Sequence, residues 1–581
     1  MEEKQHSDAG NESVYYNIEK YNFINKIKLS IYSMSTSKIF YILMLIVIIM
    51  ICLISISIKY SQKYTSEIPS TGGIYKEASV NNIRYLDPIF SNNETEQSIC
   101  KLIYSGLLRR EGEKYVPDLA ESISQSPDGL TYTILIKKAK FSDNSELTSS
   151  DVIYTIDLIQ DSLINSPYHR VWKNITANAV DDHTVSIKVK APISNINEIL
   201  TQGIIKKNEW IKLPRDSLSL SDLNINAIGA GPYKINKVIE NNKIITNVNL
   251  IINNNYYSVG KLPYIKNVEY QVFANNNEVY TAIKNGKAYT AIGIDPNEVK
   301  ALLNSNKNIK INAAKMYRTY SLFFNSNNDK GLSDINYRRD LRDSIDRDYI
   351  LNNVLSGFGS KASNVYTHNY DMIDNSVPKT LPHIYNDKVI NIVTINNAEL
   401  IKVANTIKSN WAKIGVNADI HTYEVGEFQQ DIIKNRNYSV LLFAVDTYDE
   451  NDIYNLWHSS GRNYPGSNIT NYYSTNLDKN LETLLSFASN NDTNINNNTD
   501  IKNKTYKDIE TELDSNVAWI PLYNPYILST LNTDVHLHID DHVYTSSQLL
   551  DYIRDAYINT ETVYNFFLND NFYKKISDFI H

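Results

Sequence analysis

The chain has 581 residues, a formal net charge of −8 and 21% charged residues; this is more chain than one hydrophobic core usually serves, so two or three lobes are expected. No long Lys/Arg run with interleaved aromatics occurs outside the flank of an apolar N-terminal stretch, which argues against a nucleic-acid partner. The only two cysteines are Cys52, inside that apolar stretch, and Cys100, so no disulfide is expected within a folded domain.

Residues 1–38 are polar and are expected to form a short cytoplasmic tail. Residues 39–58 (IFYILMLIVIIMICLISISI) carry no charge, and twenty residues at 1.5 Å each cross about 30 Å of hydrocarbon. Lys59, Tyr60, Gln62 and Lys63 follow directly, in place of a small-residue cleavage site, so an uncleaved single-pass anchor is expected. Cys52 follows Ile51 with six more residues of the run beyond it, the wrong place for lipidation. Lys20, Lys26, Lys28 and Lys38 precede the span and Lys59, Lys63 and Lys76 follow it, a slight bias that a long exported domain can override. Residues 59–72 read as a linker, and globular patterning begins near Gly73.

Cys100 shares an apolar pattern with Ile99, Leu102 and Ile103 and reads as a buried small hydrophobe. Tyr132-Ile134-Ile136 and Val185-Ile187-Val189 alternate with polar neighbours, as half-buried strands do. Thr148-x-x-Asp151 forms a capping box ahead of a helix. A second helix is expected over Tyr337 to Ser356, ended by Gly357. Residues 389–446 read as β-α-β-α-β, with a helix stopped by Gly415, which is the pattern of a parallel sheet. Ligands of open α/β sheets bind beyond the carboxyl ends of strands, which points at Thr394 to Asn397 and at Asp446 onward. The Asn-rich stretch Ser489 to Lys504 reads as a solvated loop.

Several blocks then occur in a fixed order: YLDP (85–88), IYSGLL (103–108), VPDLAES (116–122), SPDGLTYT (126–133), FSDNSELTSSDVIYTI (141–156), GAGPYKI (229–235), LFFNS (322–326), YRRDLRDSIDRDYI (337–350), IKSNWAKIGVNADI (407–420) and IPLY (520–523). Together they resemble the extracytoplasmic solute-binding proteins, family 5, that serve peptide, dipeptide and nickel ABC importers. The resemblance implies an α/β fold, a two-lobed periplasmic-binding-protein clamshell (type II, cluster C-like) with an additional third domain, preceded here by the N-terminal transmembrane helix. By similarity, lobe I spans 73–108, 225–320 and 525–581, the additional domain 109–224, and lobe II 321–524. Repeated crossings between lobes would make a hinge. Ser105 stands where the family usually has Glu, and Asn144 where Gly is common. The segment DTYDENDIYNLWHS (446–459) lacks the family's acidic-Pro pair and is shorter by about one residue, so whether Asp446 or Asp449 aligns with the ligand carboxylate stays open.

In peptide-binding relatives an Asp of this segment receives the peptide α-ammonium while main-chain bonds hold its backbone, a division that makes capture blind to sequence. The resemblance implies Asp446 first and Asp449 second, with Tyr448, Trp457 and His458 as cleft-lining candidates and Asn325 at the cleft edge; Asn325 also fits a turn, and the aromatics also fit a core. In the run Val535 to His542, strand alternation would put His536, His538 and Asp540 on one face, a set that can hold a transition metal, although a surface strand with incidental histidines is the simpler reading. No HExxH, GxSxG, P-loop, CxxC or EF-hand loop occurs, so neither an enzyme nor a cofactor is expected. The expected function is a monomeric, membrane-anchored receptor that captures a peptide or other small solute and delivers it to ABC permease subunits. The alternatives are a nickel or metal-chelate receptor of the same family and a surface interaction protein without transport.

Overall fold

The computed structural model describes Asn25, Lys28 and residues 35–564, except 113, 191–195, 243, 259–261, 363–382, 387, 448–449, 465, 471, 490–494, 538–541 and 544–551. The chain divides into two compact units, residues 1–69 with 560–581 and residues 70–559. In the first, the apolar run lies within helix α1 (Thr36–Tyr64), whose stretch Thr36–Ile56 is long and apolar enough to cross a membrane. The expected linker is not a free coil. The helix continues to Tyr64 and runs into strand β1 (Thr65–Ser70), which pairs with the strand Asn559–Tyr564 near the C-terminus. A polar segment forms a strand here because the partner satisfies its backbone groups, and the Thr560 hydroxyl adds a bond to Glu67 at 3.3 Å.

The second unit begins with β2 (Gly72–Ser79), α2 (Glu94–Ile103) and a hairpin of β3 (Leu108–Glu111) and β4 (Lys114–Pro117). Next come β5 (Ala120–Gln125), β6 (Thr131–Ile136), α3 (Ser149–Gln160), β7 (Ile175–Asp181) and β8 (Thr184–Val189), whose strands form an antiparallel sheet in the order β5-β6-β8-β7. Tyr132, Ile134, Ile136, Val185, Ile187 and Val189 are buried, as their alternation requires. The Asp151 carboxylate accepts the Thr148 backbone N–H at 2.9 Å and starts α3 where the capping box places it. Asn144, at the position where Gly is common in the resembling proteins, takes φ +73°, a left-handed conformation that asparagine tolerates better than most side chains. This stretch has its own sheet but not its own core: Ile134, Val185 and Trp210 merge with Tyr75, Ile99 and Tyr233 in one continuous apolar cluster.

The main sheet is built from β9 (Tyr233–Asn241), β10 (Ile244–Ile252), β11 (Ile265–Val272), β12 (Thr290–Ile292), β13 (Ile309–Met316) and β14 (Arg318–Phe324), followed by α4 (Ile335–Asp343), β15 (Lys388–Ile395), α5 (Ala398–Ala412), β16 (Val416–Tyr423) and β17 (Val440–Asp446). Then come α6 (Glu450–Trp457), α7 (Thr475–Ser489), α8 (Ile495–Ser515) and β18 (Trp519–Asn532). The strand order is β9-β10-β11-β2-β12-β18-β14-β17-β15-β16, with β13 also on β18. β15 pairs parallel with both β16 and β17, as the β-α-β-α-β pattern predicts. Gly415, at φ +74°, ends the turn after α5, where a Cβ would lie 1.8 Å from the Tyr385 carbonyl oxygen.

Two sequence expectations change. The helix expected over Tyr337 to Ser356 breaks after Asp343, because Asp346 turns its carboxylate to the Tyr349 backbone N–H and starts a new turn. The expected Asn-rich loop is helical from Ile495 onward: Tyr506, Ile509 and Leu513 of α8 bury with Leu477, Leu481 and Leu484 of α7, and that packing outweighs the modest helix cost of asparagine.

β18 joins the two halves of the main sheet. Its first part, Trp519 to Tyr523, pairs with β14, and Tyr526 to Asn532 pair with β13. The chain passes between the same halves a second time at Tyr317, between β13 and β14. The Asn524 side chain ties the two passages together, donating to the Arg318 carbonyl at 2.9 Å and the Thr319 hydroxyl at 2.8 Å. Separate apolar clusters serve the half containing β14 to β17, one around Leu322 and Trp411 and one around Phe323 and Trp457.

Candidate functional site

The strand passages put charged groups of the two halves opposite each other. β14 starts and β17 ends at one antiparallel register pair, Arg318 and Asp446. Arg318 Nε donates to Asp446 Oδ1 at 2.7 Å and Nη2 to Oδ2 at 2.9 Å, a fork-on-carboxylate geometry that only arginine supplies. The carboxylate holds the guanidinium pKa above its ordinary value, against the opposing effect of burial. Asp446 is therefore not a lone acid: two of its roughly four acceptor positions are occupied from within the chain.

Across from this pair stands Glu94, the first residue of α2. Burial pushes its carboxyl up while the Arg318 charge pulls it down, so the two halves sense each other electrostatically. A second contact of this kind involves Glu399, in the first turn of α5. Burial raises it, the Tyr523 hydroxyl, donating at 3.1 Å, opposes that, and the charge of Asp295 beyond β12 raises it again. Tyr523 itself stacks on Tyr320, ring centroids 4.9 Å apart. The resulting site is acidic, aromatic and positioned at the carboxyl ends of β2, β12, β15 and β17.

The other sequence-predicted residues lie in different surroundings. Asn325 is buried and holds a turn: its amide donates to the Arg436 carbonyl at 2.9 Å and its oxygen accepts the Asn327 N–H at 3.2 Å. Trp457 has no exposed surface and sits edge-on to Trp519 in the core. His458 stacks on Tyr454, with its ring nitrogen 3.8 Å from Asp478. Thr394 is fully buried and donates to the Leu442 carbonyl, while Asn397 caps α5. Tyr448 and Asp449 lie outside the described residues, as do His538 and Asp540; His536 stacks flat on Tyr557 at 4.6 Å. Among the described residues no group of three His, Cys, Asp or Glu side chains is placed to hold a metal ion. Arg318, Glu94 and Glu399 were missed by sequence reasoning. Arg318 carries no motif, and its relation to Asp446 exists only through strand pairing.

A cavity of about 350 Å³ lies elsewhere, between α2, the β3 hairpin and the segment around Trp172. Its charges are paired within the chain: buried Asp118 accepts the Tyr257 hydroxyl and lies 3.8 and 3.7 Å from Arg109 and Arg554, and Arg110 meets Glu198 at 3.4 Å.

Residues 114–465 match the family described as bacterial extracellular solute-binding proteins, family 5, middle region. The chain belongs to this family of solute-binding proteins. Among curated proteins it is similar to the glutathione-binding protein GsiB of Escherichia coli O6:K15:H31, 27% identical over 287 residues, which are 49% of this chain and 54% of GsiB; the match thus spans about half of that relative's length. Among solved structures it resembles the oligopeptide-binding protein AppA of Bacillus subtilis in complex with a nonapeptide (21% identity, TM-score 0.62, 85% of this chain and all of that one). It also resembles NikZ of Campylobacter jejuni in complex with Ni(L-His) (20%, TM-score 0.62, 83% and 99%). At these identities the structural likenesses show a common fold.

Proposed function

We propose that the chain is an extracytoplasmic receptor, held to the membrane by α1, that captures peptides between the two halves of its main sheet and delivers them to an ABC permease. The observation that carries this reading is the pair of chain passages at Tyr317 and Asn524, flanked on one side by Arg318, Asp446 and Glu399 and on the other by Glu94 and Asp295. Two passages side by side form a hinge that a few backbone rotations can close, and acids at its rim suit a solute that carries an ammonium group. Asp446 keeps acceptor positions beyond those used by Arg318 and supplies one such contact. The halves correspond to lobe I and lobe II, and residues 109–224 widen lobe I.

A metal chelate is the second reading; His536 stacks on Tyr557, while His538 and Asp540 lie outside the described residues. Native mass spectrometry of the full chain, extracted in detergent from its own host, tests the proposal. Co-purified peptides are the expected outcome; stoichiometric nickel or another metal complex in their place would overturn it.

A further inference from the structure

The lobe containing β2 holds a second hollow, about 110 Å³, at the carboxyl ends of β2 and β12 beside the first turn of α2. Glu77, Asn81, Glu94 and Ser98 line it, with Gly293 at the end of β12. Glu77 is 4% exposed. One of its carboxylate oxygens accepts the Tyr75 hydroxyl at 3.1 Å, and the other has no hydrogen-bond partner among the described residues. Its cross-strand neighbours in register, Tyr270 on β11 and Thr290 on β12, bring no positive charge. Among the described residues Glu94 makes no ion pair, and the cation that influences it is Arg318, already committed to Asp446.

A carboxylate taken out of water needs a cation and further donors to be stable as an anion. Here the described residues supply two acids and several hydroxyl or amide groups around an open hollow, and no cation. Burial raises the pKa of both Glu77 and Glu94, as expected of carboxylates waiting for a positive partner. The hollow is several times the roughly 10–15 Å³ that one water needs, enough for an ammonium head and its adjoining methylenes.

We infer that this hollow is a subsite for an ammonium or guanidinium group on a side chain of the captured solute, so that the receptor selects peptides carrying a basic residue. The inference rests on the peptide reading above and names the substrate class for the same cleft. Asp446 already accepts two bonds from Arg318, whereas Glu77 and Glu94 have no ion pair among the described residues.

The test uses the full chain in detergent and two series of alanine pentapeptides, with lysine or its uncharged counterpart norleucine placed at each position in turn. Calorimetry is expected to show at least one position where lysine binds about tenfold more tightly than norleucine, the size of one charge-assisted bond. Glu77→Gln, which keeps the side-chain shape, should reduce that ratio without changing the affinity of the norleucine series, and Glu94→Gln should reduce the ratio as well. A ratio near one in the parent chain, or one that survives both substitutions, overturns the inference and leaves the peptide reading standing. Failure of both series to bind a cooperatively folded chain overturns both.

Discussion

Glu77 and Asp87 are carboxyl groups that folding removes from water. Burial pushes Glu77 up to about 8, with the Tyr75 hydrogen bond opposing, and pushes Asp87 up to about 7 against N–H bonds from Phe90 and Ile89. Around Glu77 stand Tyr75 on its own strand, Tyr270 on β11, Thr290 on β12 and Glu94 on α2. Between the ordinary values, 3.8 for Asp87 and 4.5 for Glu77, and these raised values the folded chain keeps protons that the unfolded chain has lost. The protonated carboxyls therefore contribute stability in full below about pH 3.8 for Asp87 and about pH 4.5 for Glu77, and that contribution falls as pH rises, levelling near 7 for Asp87 and near 8 for Glu77. Glu77→Gln, which cannot ionise, should flatten the fall in Tm between pH 5 and 8, and thermal melts followed by circular dichroism check this. An unchanged slope would mean that Glu77 is ionised in the folded chain. At this scale the sequence showed Asp446 at a strand end, but neither its arginine nor the hollow around Glu77 has a local signature.

Among the elements, those with strong periodicity formed where expected and those governed by neighbours did not. β15 to β17 with α5 follow directly from apolar spacing and from Gly415. α8 does not: its Asn-rich first half has no apolar pattern, and its helix depends on α7 lying against Tyr506, Ile509 and Leu513. The glycines of GAGPYKI belong to a third kind, visible in sequence but unexplained by it. A Cβ on Gly229 would lie 2.0 Å from the Ile103 carbonyl oxygen, where the end of α2 meets the approach to β9. Gly229→Ala should accordingly cost about 1–3 kcal/mol, the usual size of an overpacked core site. Gly426, with open space around its Cβ position, is the contrast, and Gly426→Ala should be neutral or slightly stabilising. Chemical denaturation midpoints of the two variants measure the difference.

For the whole molecule, the decisive feature is that β18 serves both halves of the main sheet while Asn524 binds the neighbouring passage. A solute touching both halves binds fully only when they are closed, so ligand should shift the population toward a more compact form. Small-angle scattering with and without bound peptide should show a smaller radius of gyration in the complex, and an unchanged radius at saturation would remove the hinge from the mechanism. Asn524→Ala should weaken this coupling by releasing the Arg318 carbonyl and the Thr319 hydroxyl, at a cost of about 1–3 kcal/mol in stability from the lost buried bonds.

What the sequence by itself determined is local or additive. An apolar run of twenty residues forms one long helix, alternating residues form half-buried strands, Thr148 and Asp151 start a helix, and ordered blocks specify a family, because each of these depends on spacing along the chain. Tertiary structure alone decided what depends on distant segments meeting. It joined β1 to the strand Asn559–Tyr564, placed Trp457 and Asn325 in buried surroundings, matched Arg318 to Asp446 by strand register, and turned Glu77 and Glu94 toward one hollow. Burial and charge pairing are properties of neighbours in space, and the chemistry of the proposed cleft consists almost entirely of those two.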